Sequence, residues 1–469
     1  MIYESYFKNL CGIIIPHAGK EYAGKCRESI FKNVNEEKET EYIIYISALH
    51  NIKDKENRIC ILEYEHDHID YFNRGNINNY ILNKDDFTEE VKKEHSYKWV
   101  KEELKETFKK AKILVVCPTP YSDLKNLAND IISYIFKKKN ENKKILLIAT
   151  TDLIHYGNRF NNNIKLNYPE QLDKWRKEEN IIQNMLNNNY QEIDKELICG
   201  PYAIQTFMYI SNYFKWNSRV IDYYDSSNYN KNLLEKYSIN LEKKDKEFVS
   251  YVSIIYGDFE KDNILLPIDI ILGFVVIKTI ITLKLLNIEI KDIRLPKWNK
   301  FNEMTNGIFI STQINNKTNS CTGIFELEEN NLNSSLKITK IAENSVDDSI
   351  NRWKNPIKID DIDKYIIKIE IIDNLKDWKE YDSDEIIKNF KLSESNGIFL
   401  KLYNNNNATY LPVVAIENKD IWSVEDYMNN LSIKAGGNKE DWKIKGSKIK
   451  KYNSISFKYI NETDTITVL

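Results

Sequence analysis

The feature that most constrains the fold is an alternation of short β-rich runs with longer helical patterns over the first 258 residues. The candidate strands are Cys11–Pro16, Tyr42–Ala48, Arg58–Tyr64, Ile113–Cys117, Lys144–Thr150, Arg219–Tyr223 and Phe248–Tyr256. The candidate helices include Asp123–Phe136, Leu172–Asn187 and Tyr202–Phe214. Strands that alternate with helices usually form a mostly parallel sheet with helices on its faces. We therefore predict an α/β domain over residues 1–258.

A change of pattern after Gly257 predicts a second domain. At 469 residues the chain exceeds the size that one hydrophobic core usually supports. Beyond the polar segment 258–263, strand-like runs at Gly307–Thr312, Tyr365–Ile372 and Gly397–Tyr403 mix with fewer helices. We predict a C-terminal α+β domain over residues 259–469.

The apolar stretch from Ile264 to Ile288 is long enough to cross a bilayer. It is interrupted by Pro267, Asp269, Lys278 and Lys284, and both lysines fall well inside the span. Charged side chains at membrane depth are costly. The stretch therefore favours a buried helix over a membrane span, and no membrane partner is expected.

Charge and cysteine usage exclude several classes of protein. The chain has 67 basic and 70 acidic residues, and its net charge of −3 offers no basic surplus for binding nucleic acid. None of the six cysteines forms a CxxC pair, and a chain of this length needs no disulfide framework. The N-terminus lacks the pattern of a secretory signal. We expect a reduced, cytoplasmic setting.

Three histidines follow candidate strands, at or just beyond the strand ends. His17 follows the first strand in IIIPHAG, His50 follows the second in YISALH, and His155 follows a later one in ATTDLIHYGNRF. Ligands of open α/β sheets bind outside the carboxyl ends of the strands. If the three strands are parallel neighbours, the histidines converge on one crevice. Asp152 arrives with His155 as a carboxylate that could orient an imidazole or take part in proton transfer.

Cys199 is the further candidate for this site. It lies in LICGPYAIQTF, and Pro201 is favoured at the first position of a helix. A helix N-terminus would lower the pKa of the Cys199 thiol and favour the thiolate that binds metals. Two histidines and a cysteine with open positions suit a catalytic metal site. The alternative is that Cys199 is a small buried apolar side chain.

Motifs in the first half of the chain resemble the Memo family. They are IIIPHAGKEYAG, ISALHN, EHS, TTDLIHYGNRF, LICGPYAI and YYDSSNY followed by VSYVSIIYGDF, in the family's order over residues 9–257. That family is similar in fold to the catalytic subunits of class III extradiol dioxygenases. The resemblance implies that His17, His50 and Cys199 are metal ligands. It also implies that Asp152 and His155 line the pocket, as catalytic candidates.

The resemblance also implies what the pocket would bind and do. Iron or copper is the expected metal, with zinc less favoured, and the activity would be that of a non-haem oxidoreductase on a small molecule. One alternative is a non-catalytic scaffold whose pocket binds a peptide or phosphopeptide. Another is a protein that sequesters a redox metal.

The chain departs from the family around these residues. The family usually has a histidine pair where this chain has His50 followed by Asn51. A glutamate and a histidine are replaced by Lys98 and Val100, and a histidine after the CG motif by Tyr202. The metal ligands are thus retained while neighbouring polar groups differ, which bears on the substrate more than on the metal.

The sequence leaves open the roles of three further histidines. His95, in the EHS motif, is a candidate for either the pocket or the surface. His66 and His68 resemble a chelating pair in EYEHDHID, but they match no family motif, and we expect an exposed strand end there.

The second half of the chain resembles the AMMECR family over roughly residues 264–460. NGIFISTQINNKTNSCTGIFE looks like that family's strand, turn and strand, with its cysteine at Cys321 and its glycine at Gly323. NATYLPVVAIENKDIWSVEDYMNNLSIKAGG is similar over a longer run. Memo and AMMECR proteins often occur as companions, sometimes fused, and the AMMECR domain could bind a protein partner.

Cys321 is either a nucleophile or a structural cysteine. The arginine and glycine that precede it in the family are Asn319 and Ser320 here. No histidine follows His155 in the chain, so none within this domain could serve as its base. A structural role is favoured.

Overall fold

The computed structural model describes most of the chain, in two compact units. The described residues are 6–7, 9–34, 40–50, 59–63, 80–81, 94–120, 122–160, 168–227, 231, 233–237, 247–260, 264–290, 292–303, 307–315, 317–325, 334–373, 379–394, 396–460 and 463–468. The N-terminal unit comprises residues 1–272 and 296–300, and the C-terminal unit comprises residues 273–295 and 301–469.

The N-terminal unit has the predicted α/β architecture. Its strands are β1 (Leu10–Ile15), β2 (Tyr42–Ile46), β3 (Ile59–Glu63), β4 (Tyr80–Ile81), β5 (Lys112–Cys117), β6 (Ile145–Thr150), β7 (His155–Tyr156), β8 (Asn217–Asp225) and β9 (Phe248–Gly257). Its helices are α1 (Lys20–Val34), α2 (His95–Lys98), α3 (Lys101–Thr107), α4 (Leu124–Asn140), α5 (Tyr168–Leu186), α6 (Pro201–Phe214) and α7 (Leu233–Tyr237).

One nine-stranded sheet forms the centre of this unit. Its order is β4-β3-β5-β2-β6-β1-β9-β7, and β8 pairs with β9 outside this path. The four central strands β5, β2, β6 and β1 pair in parallel, whereas β9 runs antiparallel to β1. The prediction of a mainly parallel sheet flanked by helices is confirmed.

The central strands are short apolar runs because helices cover both faces of a parallel sheet. Four consecutive residues of β2 are fully buried, as are the last three of β1. The strand order places β6 between β2 and β1, so the carboxyl ends of these three parallel strands are neighbours. The sequence predicted that the histidines converge if these strands are parallel neighbours, and the structure fulfils that condition.

The C-terminal unit is an α+β structure with two antiparallel sheets. Its strands are β10 (Ile308–Ile314), β11 (Lys317–Ile324), β12 (Ile366–Ile372), β13 (Lys379–Tyr381), β14 (Gly397–Lys401), β15 (Asn407–Tyr410), β16 (Lys448–Tyr452), β17 (Ser454–Ile460) and β18 (Thr465–Val468). They form a five-stranded sheet, β11-β10-β12-β17-β18, and a four-stranded sheet, β13-β16-β14-β15. Besides part of α8 (Pro267–Leu285), its helices are α9 (Ser334–Arg352), α10 (Ser383–Asn389), α11 (Pro412–Asn418) and α12 (Val424–Lys434).

The apolar stretch predicted as a buried helix forms α8 (Pro267–Leu285). Its first residues, 267–272, belong to the N-terminal unit, and residues 273–285 belong to the C-terminal unit. Within the described part of the chain, no helix has both the length and the apolar character that a membrane span requires.

A buried ion pair in the N-terminal unit joins β8 to the first turn of α8. The Nη2 atom of Arg219 lies 2.7 Å from the Oδ2 atom of Asp269, and the two side chains are 7% and 2% exposed. The same carboxylate accepts hydrogen bonds from the backbone amides of Leu266 and Lys300. Because buried charges are tolerated only when they are paired, each of these two side chains depends on the other.

Breaking the buried pair should cost much more than breaking an exposed one. Asp269→Asn leaves the Arg219 charge buried without its partner, and we expect the free energy of unfolding to fall by about 3–5 kcal/mol. Asp363 is the matched control because its carboxylate lies 2.7 Å from Lys278 but its side chain is 77% exposed. Asp363→Asn should change stability by no more than about 1 kcal/mol. Urea unfolding of the full chain measures both, and equal losses would contradict this interpretation.

Candidate metal centre

The candidate site lies where β1, β2 and β6 end. His17 follows β1 by two residues, His50 follows β2 by four, and Asp152 follows β6 by two. Nitrogen atoms of His17 and His50 and the sulfur of Cys199 all lie within 4.8 Å of one another. The structure thus brings together the three residues that the sequence pointed to as metal ligands.

His17 is the innermost of these residues. Its side chain is 1% exposed, and its Nε2 atom lies 3.2 Å from the Cys199 sulfur and 3.7 Å from an Asp152 oxygen. Its Nδ1 atom is buried and has no hydrogen-bond partner among the described residues. Burial lowers the pKa of His17 to about 3, although the Asp152 carboxylate opposes the shift. The imidazole is therefore neutral near pH 7, which is the form that binds metal ions.

The Cys199 sulfur is held by the backbone of the β6 loop. The Asp152 amide donates a hydrogen bond to the sulfur over 3.0 Å, and the Cys199 amide donates to the Asp152 carbonyl over 3.3 Å. The expectation of a lowered thiol pKa is wrong, because burial and the nearby Asp152 carboxylate raise the pKa of Cys199 well above its usual value. The first residue of α6 is Pro201 and its N-cap is Gly200, so Cys199 lies outside the helix.

Glu94 holds His50 and His95 together. Its Oε1 atom lies 2.9 Å from the Nδ1 atom of His50 and 3.0 Å from that of His95. Its Oε2 atom accepts a hydrogen bond from the His50 amide over 3.1 Å. Burial works against ionisation, but the hydrogen bonds from both histidines outweigh it and hold the pKa of Glu94 well below its usual range. A carboxylate can only accept here, so Nδ1 of His50 carries the hydrogen and Nε2 keeps its lone pair.

Glu94 is the site residue whose function the sequence did not reveal. The EHS motif singled out His95, but Glu94 itself had no assigned role. Glu94 lies 44 positions from its partner His50, so no local sequence pattern connects the two residues. The signal in the sequence was the position of Glu94 beside His95 in that motif.

Asp152 and His155 lie beside the Cys199 sulfur. One potential ligand atom from each of Asp152, His155 and Cys199 lies within 4.8 Å of the other two. The Asp152 Oδ1 atom accepts hydrogen bonds from the amides of His17 and Ala18, at 2.9 and 3.4 Å. The Nδ1 atom of His155 lies 2.9 Å from the Leu153 carbonyl, which can only accept, so Nδ1 carries the hydrogen. Burial lowers the pKa of His155, although Asp152 and the Leu153 hydrogen bond oppose the shift.

A buried arginine supports the loop that carries His17. Arg27 of α1 donates from Nη1 to the carbonyls of Pro16 and Ala18, at 3.2 and 2.7 Å. Its Nε atom donates to Glu103 over 2.9 Å. Because the guanidinium is fully buried and paired, it holds the loop in one conformation.

Five other residues that the sequence pointed to are Asn51, His66, His68, Lys98 and Tyr202. Asn51, His66 and His68 fall outside the described residues. Lys98, at the end of α2, is exposed. Tyr202, in the first turn of α6, is half-buried, and the Lys195 ammonium lies 5.3 Å from the centre of its ring.

Cys321 lies in β11 of the C-terminal unit. It packs against a buried cluster formed by Phe309, Ile372, Leu411 and Tyr452. Burial raises the pKa of the Cys321 thiol, although Lys434 and Arg352 oppose the shift. This environment favours the structural role over the nucleophile.

Comparison with known families and structures covers both halves of the chain. A family model described as Memo-like protein matches residues 3–239, and a model described as AMMECR1 matches residues 277–457. The crystal structure of an uncharacterized protein from Pyrococcus horikoshii is similar over 42% of this chain and 94% of its own, with 17% identity and a TM-score of 0.34. No curated protein matches the chain.

Gly200 lets the Cys199 segment approach β6 closely. A Cβ atom at this position would lie 2.4 Å from the Thr150 carbonyl oxygen and 3.2 Å from the Ala48 side chain. The carbonyl belongs to the central sheet and cannot move aside at low cost. A residue with a side chain would therefore push Cys199 away from Asp152.

Gly200→Ala should lower the free energy of unfolding by about 1–3 kcal/mol through overpacking. It should also make the Cys199 thiol react faster with a thiol reagent, because the segment moves outward. Gly24→Ala is the matched control, since a Cβ atom there meets only the flexible Lys20 side chain within helix α1. That change should be neutral or stabilise by about 0.5–1 kcal/mol. Indistinguishable unfolding curves for the two variants would rule out the close approach at Gly200.

Proposed function

The chain belongs to the Memo family, and we propose that its N-terminal unit binds a transition metal ion and works as a non-haem oxidoreductase-like protein. The ligands in this proposal are His17, His50 and Cys199. The observation that carries it is the convergence of two imidazoles and a thiol, from three separate segments, within 4.8 Å. Burying polar side chains together in a folded core costs free energy, which argues that this cluster has a function.

The residues around the three ligands fit a metal ion. Ligating histidines usually donate their second ring N–H to a carboxylate or a carbonyl. Glu94 supplies such a carboxylate to the Nδ1 atom of His50, which leaves Nε2 to bind. The Asp152 amide donates to the Cys199 sulfur, which would stabilise a thiolate. His17 is neutral, so its lone pair is not blocked by a proton.

We propose iron or copper over zinc because zinc has no redox chemistry. Two nitrogen ligands and one sulfur ligand suit soft or borderline transition metals, and three protein ligands leave positions for a substrate. A bound iron or copper ion would supply electron transfer with O2 or a small substrate, which no side chain here supplies by itself.

Proton transfer is assigned to His155 in this proposal. Its Nδ1–H donates to the Leu153 carbonyl, so its Nε2 atom is the one that can accept a proton. Its lowered pKa keeps it neutral near pH 7 and thus able to act as a base. Asp152 acts as the positioning residue, because its carboxylate fixes the His17 loop and its amide fixes the Cys199 sulfur.

Metal content of the purified full chain tests the ligand assignment. Protein from metal-replete cells should carry about one iron or copper ion per chain, since a preformed site of this kind retains its ion. Cys199→Ser should reduce that content about tenfold or more. Cys11→Ser is the matched control, because Cys11 is also half-buried but lies in β1, outside the 4.8 Å groups that could hold an ion.

The outcomes separate the candidate functions. Equal metal content in Cys199→Ser and the control would refute the ligand set. Absence of metal from all three proteins, even after reconstitution, would refute metal binding and favour a peptide-binding scaffold. Stoichiometric metal without O2-dependent turnover would favour a metal-sequestering role.

Metal binding should depend on pH through Cys199. The raised thiol pKa means that the ion must displace one proton, so the apparent affinity should rise about tenfold per pH unit from this residue. His17, with a pKa of about 3, releases no proton above pH 5. Competition with a chelator at pH 6, 7 and 8 measures the slope. Wild type should be steeper than Cys199→Ser by one proton, and parallel slopes would show that the thiol does not bind the ion.

A further inference from the structure

Three imidazoles form a series from the interior to the surface of the N-terminal unit. The ring centres of His17 and His50 lie 5.0 Å apart, and those of His50 and His95 lie 4.1 Å apart. The side chains of His17, His50 and His95 are 1%, 21% and 35% exposed. The ring centres of His17 and His95 lie 5.7 Å apart, so the three rings form a compact triangle in which exposure increases from His17 to His95.

Glu94 joins the two outer rings into one donor group. A single carboxylate oxygen, Oε1, lies 2.9 Å from the Nδ1 atom of His50 and 3.0 Å from the Nδ1 atom of His95. One ligand atom from each of these three residues lies within 4.8 Å of the others. The His95 ring also packs on Trp99, with ring centres 4.7 Å apart, which restricts its orientation. Two imidazoles and a carboxylate, held in this way, form a site for a divalent first-row metal ion.

We propose that His50, Glu94 and His95 form an outer metal position through which the ion enters the inner position of His17, His50 and Cys199. This inference rests on the proposed function, because it needs the inner position as the destination. His50 belongs to both donor sets, so one ion occupies them in turn.

The ion moves inward by exchanging ligands around His50. In the outer position the ion replaces the Nδ1 hydrogens of His50 and His95, which pass to solvent water, and the two Nδ1 atoms and Glu94 hold it. On moving inward it gives up these ligands for His17, Cys199 and the Nε2 atom of His50, and the Nδ1 atoms of His50 and His95 take up a proton from solvent again. The Cys199 thiol loses its proton to solvent water, and the oxidation state of the ion does not change. The exposed donors remove part of the ion's water shell first, which is useful because His17 is nearly inaccessible from solvent.

Co²⁺ is the probe that separates the two positions. Its d–d absorption reports binding to histidine, and its thiolate charge-transfer absorption reports bonding to Cys199. The measurements use the full chain with His66→Gln and His68→Gln, so that this second histidine pair does not contribute. In that background, Cys199→Ser should still bind one Co²⁺ per chain, without the thiolate absorption and about tenfold or more weakly.

The location of the remaining ion is tested by two matched histidine variants. Adding His95→Gln to Cys199→Ser should weaken the remaining Co²⁺ binding about tenfold or more. Adding His155→Gln should leave it unchanged within about twofold, since His155 belongs to the group of Asp152 and Cys199, not to that of Glu94. The opposite result, with loss on His155→Gln only, would place the ion beside Asp152 and His155 and overturn the proposal.

Entry kinetics provide a second test in the chain that retains Cys199. His95→Gln should reach the same final thiolate absorption as its parent but form it about tenfold more slowly. Circular dichroism and thermal unfolding verify that the variants are folded. An unchanged rate would overturn the entry role of His95.

The two proposals fail in distinguishable ways. Thiolate absorption in the parent, with no Co²⁺ bound by Cys199→Ser, would refute the outer position and leave the inner site in place. No Co²⁺ binding by the parent would refute both.

Discussion

Asp152 is the constraint on which the candidate site depends. Its carboxylate accepts the amides of His17 and Ala18, while its own amide donates to the Cys199 sulfur and its carbonyl accepts the Cys199 amide. One residue thereby joins the loop after β1, the end of β6 and the segment before α6. Because a buried carboxylate is costly unless it is hydrogen-bonded, these contacts favour a single arrangement of the three segments. The loop that carries His17 is also held by Arg27, which donates hydrogen bonds to the carbonyls of Pro16 and Ala18.

Burial gives the site its chemical character. It keeps His17 neutral, and it makes the Cys199 thiol hard to ionise. A cation bound at these donors would reverse the second effect, since a coordinating thiol loses its proton. Glu94, by contrast, is held in its charged form by His50 and His95. The site therefore combines neutral imidazole and thiol donors with two carboxylates, Asp152 beside the buried donors and Glu94 beside His50 and His95.

Lys98, Val100 and Tyr202, which differ from the Memo family pattern, are not among the proposed ligands. Lys98 is exposed at the end of α2, and Tyr202 lies half-buried in the first turn of α6. His17, His50 and Cys199 offer one ligand atom each within 4.8 Å of one another. In the C-terminal unit, Cys321 packs in an apolar cluster, so the proposed chemistry belongs to the N-terminal unit.

The sequence by itself determined the architecture and most of the candidate residues. The strand-and-helix alternation predicted the parallel sheet. Motifs at strand ends pointed to His17, His50, Asp152 and His155, and the segment before a helix pointed to Cys199. Only the tertiary structure decided that β1, β6 and β2 are neighbours, so that these residues meet. It also decided the role of Glu94 and the raised pKa of Cys199. Sequence patterns encode local periodicity, whereas a hydrogen-bond partner 44 residues away and the desolvation of a thiol depend on which segments the fold brings into contact.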